Sequence, residues 1–360
     1  MRILYVINSL NIGGAEKLCV DLIKKSKKRG ILIDLYLLNN QETELRSELV
    51  KENINIFSST TNNYKSYKHI IWLIKNSKKY DVIHSHLSYS QYYVSVLRIF
   101  NRKLKLITTE HSTFNERRNL KIFKFIEKFM YGQYSKIIVI NNENLKSIIQ
   151  WQKSIKNKVI VINNGIDIKK YSRGNKNNIK DERLLRIKDK NKILMIAAFR
   201  KEKNHKLMLN VLKKLDEKNV LILLGDGESS IKNYIKEFIS ENNLENRVIM
   251  LGNRNDVEDI INFCDIAVLP SMWEGFGLVA VECMAGGLPI VGSNVKGLSE
   301  VINNKDLLFN KNDKDDLTRK ICCLLNDSYK KESVIKYCIE KSKEYDIEKT
   351  LDRYLKLYQE

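Results

Sequence analysis

Two glutamates eight positions apart carry the most chemistry in this sequence. They lie in the run Pro270-Ser271-Met272-Trp273-Glu274-Gly275-Phe276-Gly277-Leu278-Val279-Ala280-Val281-Glu282. The run follows an apolar strand-like stretch and opens a helix. Gly275 and Gly277 free the backbone around the helix start, where unpaired N–H groups and the positive end of the helix dipole suit a diphosphate. Glu282 lies four residues past Leu278, about 6 Å along the helix axis, within reach of a ribose beside those phosphates. Glu274 lies on the other side of the turn, where a sugar attached to the diphosphate would sit. The bland alternative makes Glu274 a cap and Glu282 a solvated side chain. It leaves two carboxylates around a glycine turn with nothing polar between them.

Weaker signals accompany this one. Asn11-Ile12-Gly13-Gly14-Ala15-Glu16 joins the first strand to a helix, and its glycine pair allows close approach of a ligand to backbone. Without the full G-x-G-x-x-G pattern a dinucleotide cofactor is disfavoured, and two glycines in a plain loop explain the run equally well. His84 and His86 end one strand-like stretch, and His111 follows another. The C-terminal ends of parallel strands are where ligands bind in such sheets, although a packed loop histidine is the better reading of His84. No metal site is evident, because His84 and His86 lack a third ligand nearby. Asp313-Lys314-Asp315 has the D-x-D spacing of some metal sites, but it precedes an amphipathic stretch and reads better as a helix cap.

The elements that must position these groups alternate. Strand-like runs at Arg2–Ile7, Ile31–Leu38, Val82–His84, Leu104–Thr108, Ile137–Ile140 and Val159–Ile162 are separated by helical ones such as Ala15–Lys28 and Tyr67–Lys78. The polar stretch from Asn163 to Lys190 reads as a linker with a poorly specified helix. The rhythm then restarts with strands at Lys192–Ala197, Val220–Leu224, Val248–Leu251, Ile266–Leu269 and Pro289–Gly292, and the last fifty residues are helical. Such alternation predicts parallel sheets of βαβ units. With 360 residues, two domains are expected, since single cores seldom grow beyond about 250–300 residues.

Composition narrows the setting. No stretch approaches the roughly 18 apolar residues of a membrane span, and the first residues read as a strand rather than a signal peptide. Six scattered cysteines without a C-x-x-C pair fit a reduced, cytoplasmic protein. The net charge of +20 invites a nucleic-acid or membrane reading, or simply lysines on solvated helices. Arg117, Arg118, Lys121, Lys124 and Lys128 interleave with Leu120, Phe123, Phe125, Ile126 and Phe129, as in a basic amphipathic helix on an anionic surface. An ordinary surface helix has the same pattern.

Taken with its companions, the glutamate run resembles the E-x7-E motif of the retaining glycosyltransferases of family 4, which have the GT-B fold. Gly13-Gly14-Ala15-Glu16 resembles that family's opening loop, and Asn163-Asn164-Gly165-Ile166-Asp167 the end of its first domain. Gly225-Asp226-Gly227-Glu228 and Ala285-Gly286-Gly287-Leu288-Pro289-Ile290-Val291 resemble second-domain segments. The resemblance covers essentially the whole chain. It implies an α/β fold of two Rossmann-like parallel-sheet domains facing across a cleft. The first, acceptor-side domain would span residues 1–170, and the second, nucleotide-sugar domain residues 171–344. The last helix, within 345–360, would cross back onto the first.

The resemblance also implies roles. Glu282 bonds the nucleotide ribose and Glu274 the donor sugar. The backbone around Phe276, Gly277, Leu278 and Val279 holds sugar and diphosphate, Gly14 approaches the diphosphate from the first domain, and Gly252 and Arg254 border the base. His111 resembles the histidine that faces the reacting sugar carbon. Lys203 matches a family lysine that neutralises the diphosphate. Arg200 stands for the family arginine, although it is closer to the lysine than the common pattern, which would place it at Ala198. A basic loop on a basic protein is the alternative for both. The expected reaction moves a sugar from a nucleotide diphosphate, UDP by family frequency, to a saccharide or lipid-linked saccharide, without cofactor or metal. The expected location is cytoplasmic, with possible peripheral contact with an anionic membrane and no nucleic-acid partner. A sugar-nucleotide epimerase or a non-catalytic accessory protein would share the fold, but neither needs the spacing of Glu274 and Glu282.

Overall fold

The computed structural model describes residues 1–11, 13–112 and 115–360, with the side chains of Glu116 and Arg117 excepted. Ile12 of the opening loop thus lies outside the described residues. The chain forms two compact units, Met1–Gly165 with Ile347–Glu360, and Ile166–Asp346.

The first unit is built on a seven-stranded sheet. Its strands are β1 (Ile3–Ile7), β2 (Ile33–Leu37), β3 (Ile56–Ser58), β4 (Val82–His86), β5 (Lys105–Glu110), β6 (Lys136–Val139) and β7 (Val159–Val161), in the order β3-β2-β1-β4-β5-β6-β7. Every pairing is parallel. β1 is buried along its whole length, as a central parallel strand covered on both faces must be, so it reads as a continuous apolar run. β3 escapes sequence reading: it is three residues long, only half-buried, and pairs on one side alone.

One face of this sheet is completed from the far end of the chain. Helix Ile347–Gln359 buries Ile347, Leu351, Tyr354, Leu357 and Tyr358 in the same core as Ile3, Tyr5, Leu18 and Leu22. The spacing of these residues puts them on one stripe of a helix, which needs a surface to cover. The Tyr358 hydroxyl meets the Tyr5 hydroxyl at 2.8 Å and His84 Nδ1 at 2.6 Å. Outside the stripe, Glu348 and Asp352 pair with Arg29.

The second unit has six parallel strands, β8 (Asn191–Ile196), β9 (Asn219–Leu224), β10 (Val248–Gly252), β11 (Ile266–Leu269), β12 (Ile290–Ser293) and β13 (Leu308–Phe309), in the order β10-β9-β8-β11-β12-β13. β13 is too short to show a pattern in the sequence. The stretch read as a linker holds two short helices, Ile168–Ser172 and Glu182–Leu185. Asp313 caps helix Lys314–Asn326, accepting from the amides of Asp315 and Asp316, so the D-x-D spacing is spent on a helix start.

If the last helix closes the first core, deleting side-chain volume there must be costly. Leu351→Ala should destabilise the first unit by about 2–5 kcal/mol, as for other buried leucines. Asp352→Ala, which breaks an exposed ion pair, should cost no more than about 1 kcal/mol. Denaturant midpoints of the two variants check this, and equal shifts would contradict it.

Candidate functional site

In the second sheet the strand order reverses between β8 and β11, which lie side by side. Loops leaving such a pair diverge and open a crevice at the C-terminal edge. The loop after β8 carries Arg200 and Lys203, and the loop after β11 carries Glu274. Lys203 Nζ lies 2.6 Å from Glu274 Oε1, and the Ser271 hydroxyl donates to the same oxygen at 2.7 Å. The backbones are tied as well, Met272 N–H donating to Glu202 carbonyl at 2.7 Å. The carboxylate and the ammonium are therefore fixed together at the switch point.

Helix Leu278–Ala285 starts immediately after Gly277, whose φ of +89° lies in the left-handed region. That conformation suits glycine. Gly297 supports the loop from beneath: a Cβ there would lie 2.5 Å from the Glu274 carbonyl oxygen. Phe276 is buried and meets the Tyr345 ring edge-on at 5.5 Å. Leu278 and Val279 are half-buried in the first turn. One turn on, Glu282 is buried, and its Oε1 accepts the Tyr171 hydroxyl at 2.7 Å. Glu282 is thus held by the protein rather than solvated.

Gly252 ends β10, and Arg254 stands just beyond it. The Arg254 guanidinium is shared by Asp256, at 2.8 and 2.7 Å, and Asp181, at 3.0 Å. Its charge is already matched, so its visible work is to fasten this loop to helix Glu182–Leu185. Arg200 differs: its side chain is exposed and forms no ion pair among the described residues.

The first unit brings two further residues to the C-terminal edge of its own sheet. Gly14 begins helix Gly14–Lys28 after β1. His111 follows β5, and its Nε2 lies 3.1 Å from His86 Nδ1 at the end of β4. One ring donates and the other accepts, so the two tautomers are locked together. His86 Nε2 and His111 Nδ1 are buried and have no hydrogen-bond partner among the described residues. His84 is packed, but inside β4 rather than in a loop. Its ring bonds Tyr358 on one side and Thr109 on the other, the latter at 2.8 Å.

Sequence reading missed Tyr171, Ser271 and Gly297. Tyr171 had one signal, an aromatic residue in an otherwise polar lysine-rich run. Ser271 lies inside the glutamate run, but nothing in its type marks it as a carboxylate partner. Among the described residues there is no group of three or more His, Cys, Asp or Glu that could hold a metal ion.

Comparison with known proteins bears on this arrangement. Residues 12–170 match the family Glycosyltransferase Family 4, and residues 176–341 match Glycosyl transferases group 1. The chain is 29% identical to an Escherichia coli UDP-Gal:alpha-D-GlcNAc-diphosphoundecaprenol alpha-1,3-galactosyltransferase, over 73% of this chain and 71% of that one. It is 32% identical to a Campylobacter jejuni N,N'-diacetylbacillosaminyl-diphospho-undecaprenol alpha-1,3-N-acetylgalactosaminyltransferase, over 66% and 61%. A protein of the Klebsiella pneumoniae cps region is 30% identical over 69% and 71%. Among solved structures, Anabaena HepE in complex with UDP superposes with a TM-score of 0.85 at 20% identity, covering all of both chains. A sucrose-phosphate synthase from Thermosynechococcus elongatus superposes with a TM-score of 0.79 at 18% identity, covering 99% and 98%. The fold is GT-B.

The buried histidines make stability depend on pH in one direction. Burial holds His84 and His86 well below the ordinary 6.5, brings His111 down to about 4 and, aided by Lys203, brings His205 to about 4. In the unfolded chain all four titrate near 6.5. Between about pH 6.5 and 4 the unfolded chain therefore binds more protons than the folded one, and stability falls as pH falls through that window. Melting temperature should be level with respect to these groups above about pH 6.5 and decline below it. A melting temperature unchanged down to about pH 5 would contradict this assignment.

Proposed function

The chain belongs to glycosyltransferase family 4, and on that premise we propose that it transfers a sugar from UDP to a lipid-linked saccharide, retaining anomeric configuration, in surface polysaccharide assembly. That it is a glycosyltransferase acting on nucleotide sugars follows from the family. The finer reading is supported chiefly by the pairing of Lys203 with Glu274 beside the helix that carries Glu282. Two relatives are named for transfer to diphosphoundecaprenol-linked sugars, and a structural neighbour holds UDP.

In this reading Glu282, oriented by Tyr171, accepts hydrogen bonds from the ribose hydroxyls. Glu274, oriented by Ser271, accepts from hydroxyls of the donor sugar. The amides of Gly277, Leu278 and Val279 and the backbone at Phe276 meet sugar and diphosphate at a helix N-terminus. Gly252 and Arg254 frame the base. From the first unit, Gly14 and His111 are assigned to the diphosphate and the sugar.

The chemistry needs little proton handling. As the bond from the anomeric carbon to the phosphate oxygen breaks, negative charge grows on the diphosphate. Lys203 and Arg200 neutralise it, replacing the divalent ion that other transferases use. The departing phosphate oxygen takes the proton of the acceptor hydroxyl. The new bond then forms on the face that the diphosphate leaves, which retains configuration. His111, neutral at pH 7 because burial depresses its pKa, offers a hydrogen bond beside the reacting carbon and not a positive charge. A lipid-linked acceptor places the work at the cytoplasmic face of the cell membrane.

Donor affinity tests the assignment. Glu282→Ala should weaken UDP-sugar binding about tenfold or more, because a hydrogen bond to a charged group contributes roughly 1.5–3 kcal/mol. Unchanged affinity in the folded variant refutes the ribose role. Glu274→Ala should lower turnover more than UDP affinity, and equal loss of UDP and UDP-sugar affinity would count against its role at the sugar. Turnover should persist in excess EDTA. Loss in EDTA with recovery on adding Mn²⁺ or Mg²⁺ would overturn the part given to Arg200 and Lys203.

A further inference from the structure

The first unit shows solvent an apolar surface that its core leaves uncovered. Helix Ile122–Gln133 buries Glu127, Met130 and Tyr131. On its other side Ile122 is 61% exposed, Phe125 72%, Ile126 42% and Phe129 54%, and Leu120 just before the helix is 58% exposed. At about 100° per residue, the four helical positions fall within one sector of about 100°. Lys121, Lys124 and Lys128 are exposed and occupy the sector between this face and the buried one.

Charge identifies the occupant. The single acid of the helix, Glu127, is turned fully inward, accepting from Trp151 Nε1 at 2.8 Å, with Arg118 Nε 3.7 Å away. Arg118 is therefore an interior partner, not one of the surface cations its sequence position suggests. The Arg117 side chain lies outside the described residues. What remains is a helix surface of apolar side chains bordered by three lysines, with no exposed carboxylate of its own. A second copy would bring lysines against lysines. An anionic bilayer offers acyl chains to the aromatic face and headgroup charge to the lysines at one depth.

We propose that Leu120–Phe129 is the face by which this protein sits on an anionic lipid surface. Ile122, Phe125, Ile126 and Phe129 enter the acyl boundary, and Lys121, Lys124 and Lys128 lie at the headgroups. No helix among the described residues is long and apolar enough to cross a membrane, so this contact is reversible and peripheral. The proposal deepens the reading of a lipid-linked acceptor, but it stands on exposure and charge alone.

Flotation with vesicles tests it without donor, acceptor or turnover, so its outcome is separable from that of the Glu282→Ala titration. Wild type should float with phosphatidylcholine vesicles containing phosphatidylglycerol at low salt, and much less with phosphatidylcholine alone. The double variant Phe125→Glu, Phe129→Glu should stay in the soluble fraction. The triple variant Lys121→Gln, Lys124→Gln, Lys128→Gln should bind more than tenfold more weakly, since each basic residue at such a surface contributes about 1 kcal/mol. All five side chains are exposed, and circular dichroism confirms that the variants fold. Phe125→Trp supplies an independent readout, a blue shift of its emission with the anionic vesicles. Wild type that does not float, or variants that float equally, overturn the proposal. So does sedimentation showing a dimer that the double glutamate variant abolishes while neither protein binds vesicles, because the occupant is then a second copy.

Discussion

A parallel sheet whose strand order reverses beside its first strand must send neighbouring loops apart, and everything chemical in this protein hangs on that constraint. In the second unit β8 and β11 meet at the reversal, so the segments that follow them are the two that approach a common crevice. One supplies a lysine and the other a glutamate. The ion pair between them is a consequence of topology before it is a matter of residue choice. The first unit repeats the design, with β1 and β4 side by side. Its glycine loop and its histidines accordingly lie at the strand ends that face the same way along the sheet.

Holding charged groups at such an edge requires backbone that side chains would obstruct. Gly277 turns the chain into its helix with φ +89°, and Gly297, at +83°, lets a neighbouring segment lie against the carbonyls of Glu274 and Gly275. On that backbone the Glu274 carboxylate is held by the Lys203 ammonium and the Ser271 hydroxyl. The hydroxyl of Tyr171, on helix Ile168–Ser172, does the same for the Glu282 carboxylate. Ser271, Tyr171 and Gly297 touch no ligand in the proposed chemistry, yet they hold the two carboxylates and the loop between them in place.

The alternation of apolar strands with amphipathic helices made the two parallel sheets legible, and the spacing of Glu274 and Glu282 marked the run in which one carboxylate meets Lys203 and the other Tyr171. Both are local signals, carried within a dozen residues. What stayed hidden was set by distant contacts. His84 looked like a packed loop residue because its partner Tyr358 is 274 positions away. Arg118 looked like a surface cation because the carboxylate near it, Glu127, is turned inward with Met130 and Tyr131 and bonds Trp151, 24 positions away. The anchorage of Arg254 was hidden in the same way, because Asp181, which shares its guanidinium with Asp256, is 73 positions away. β3 and β13 were missed for a simpler reason: three and two residues are too few to display a period.

The second unit is an insertion within the first. The chain leaves at Gly165 and returns at Ile347. The two crossing strands run together, Ile166 bridging to Asp346 and its N–H bonding the Tyr345 carbonyl at 2.9 Å. This arrangement orders events during synthesis. Residues 166–346 have all their core in hand once residue 346 emerges from the ribosome. The unit begun first has an open apolar face until the final thirteen-residue helix arrives, so it is the last to close. A chain broken before Ile347 would carry a finished second unit joined to an unfinished first one, and quality control in the cell would meet that exposed face first.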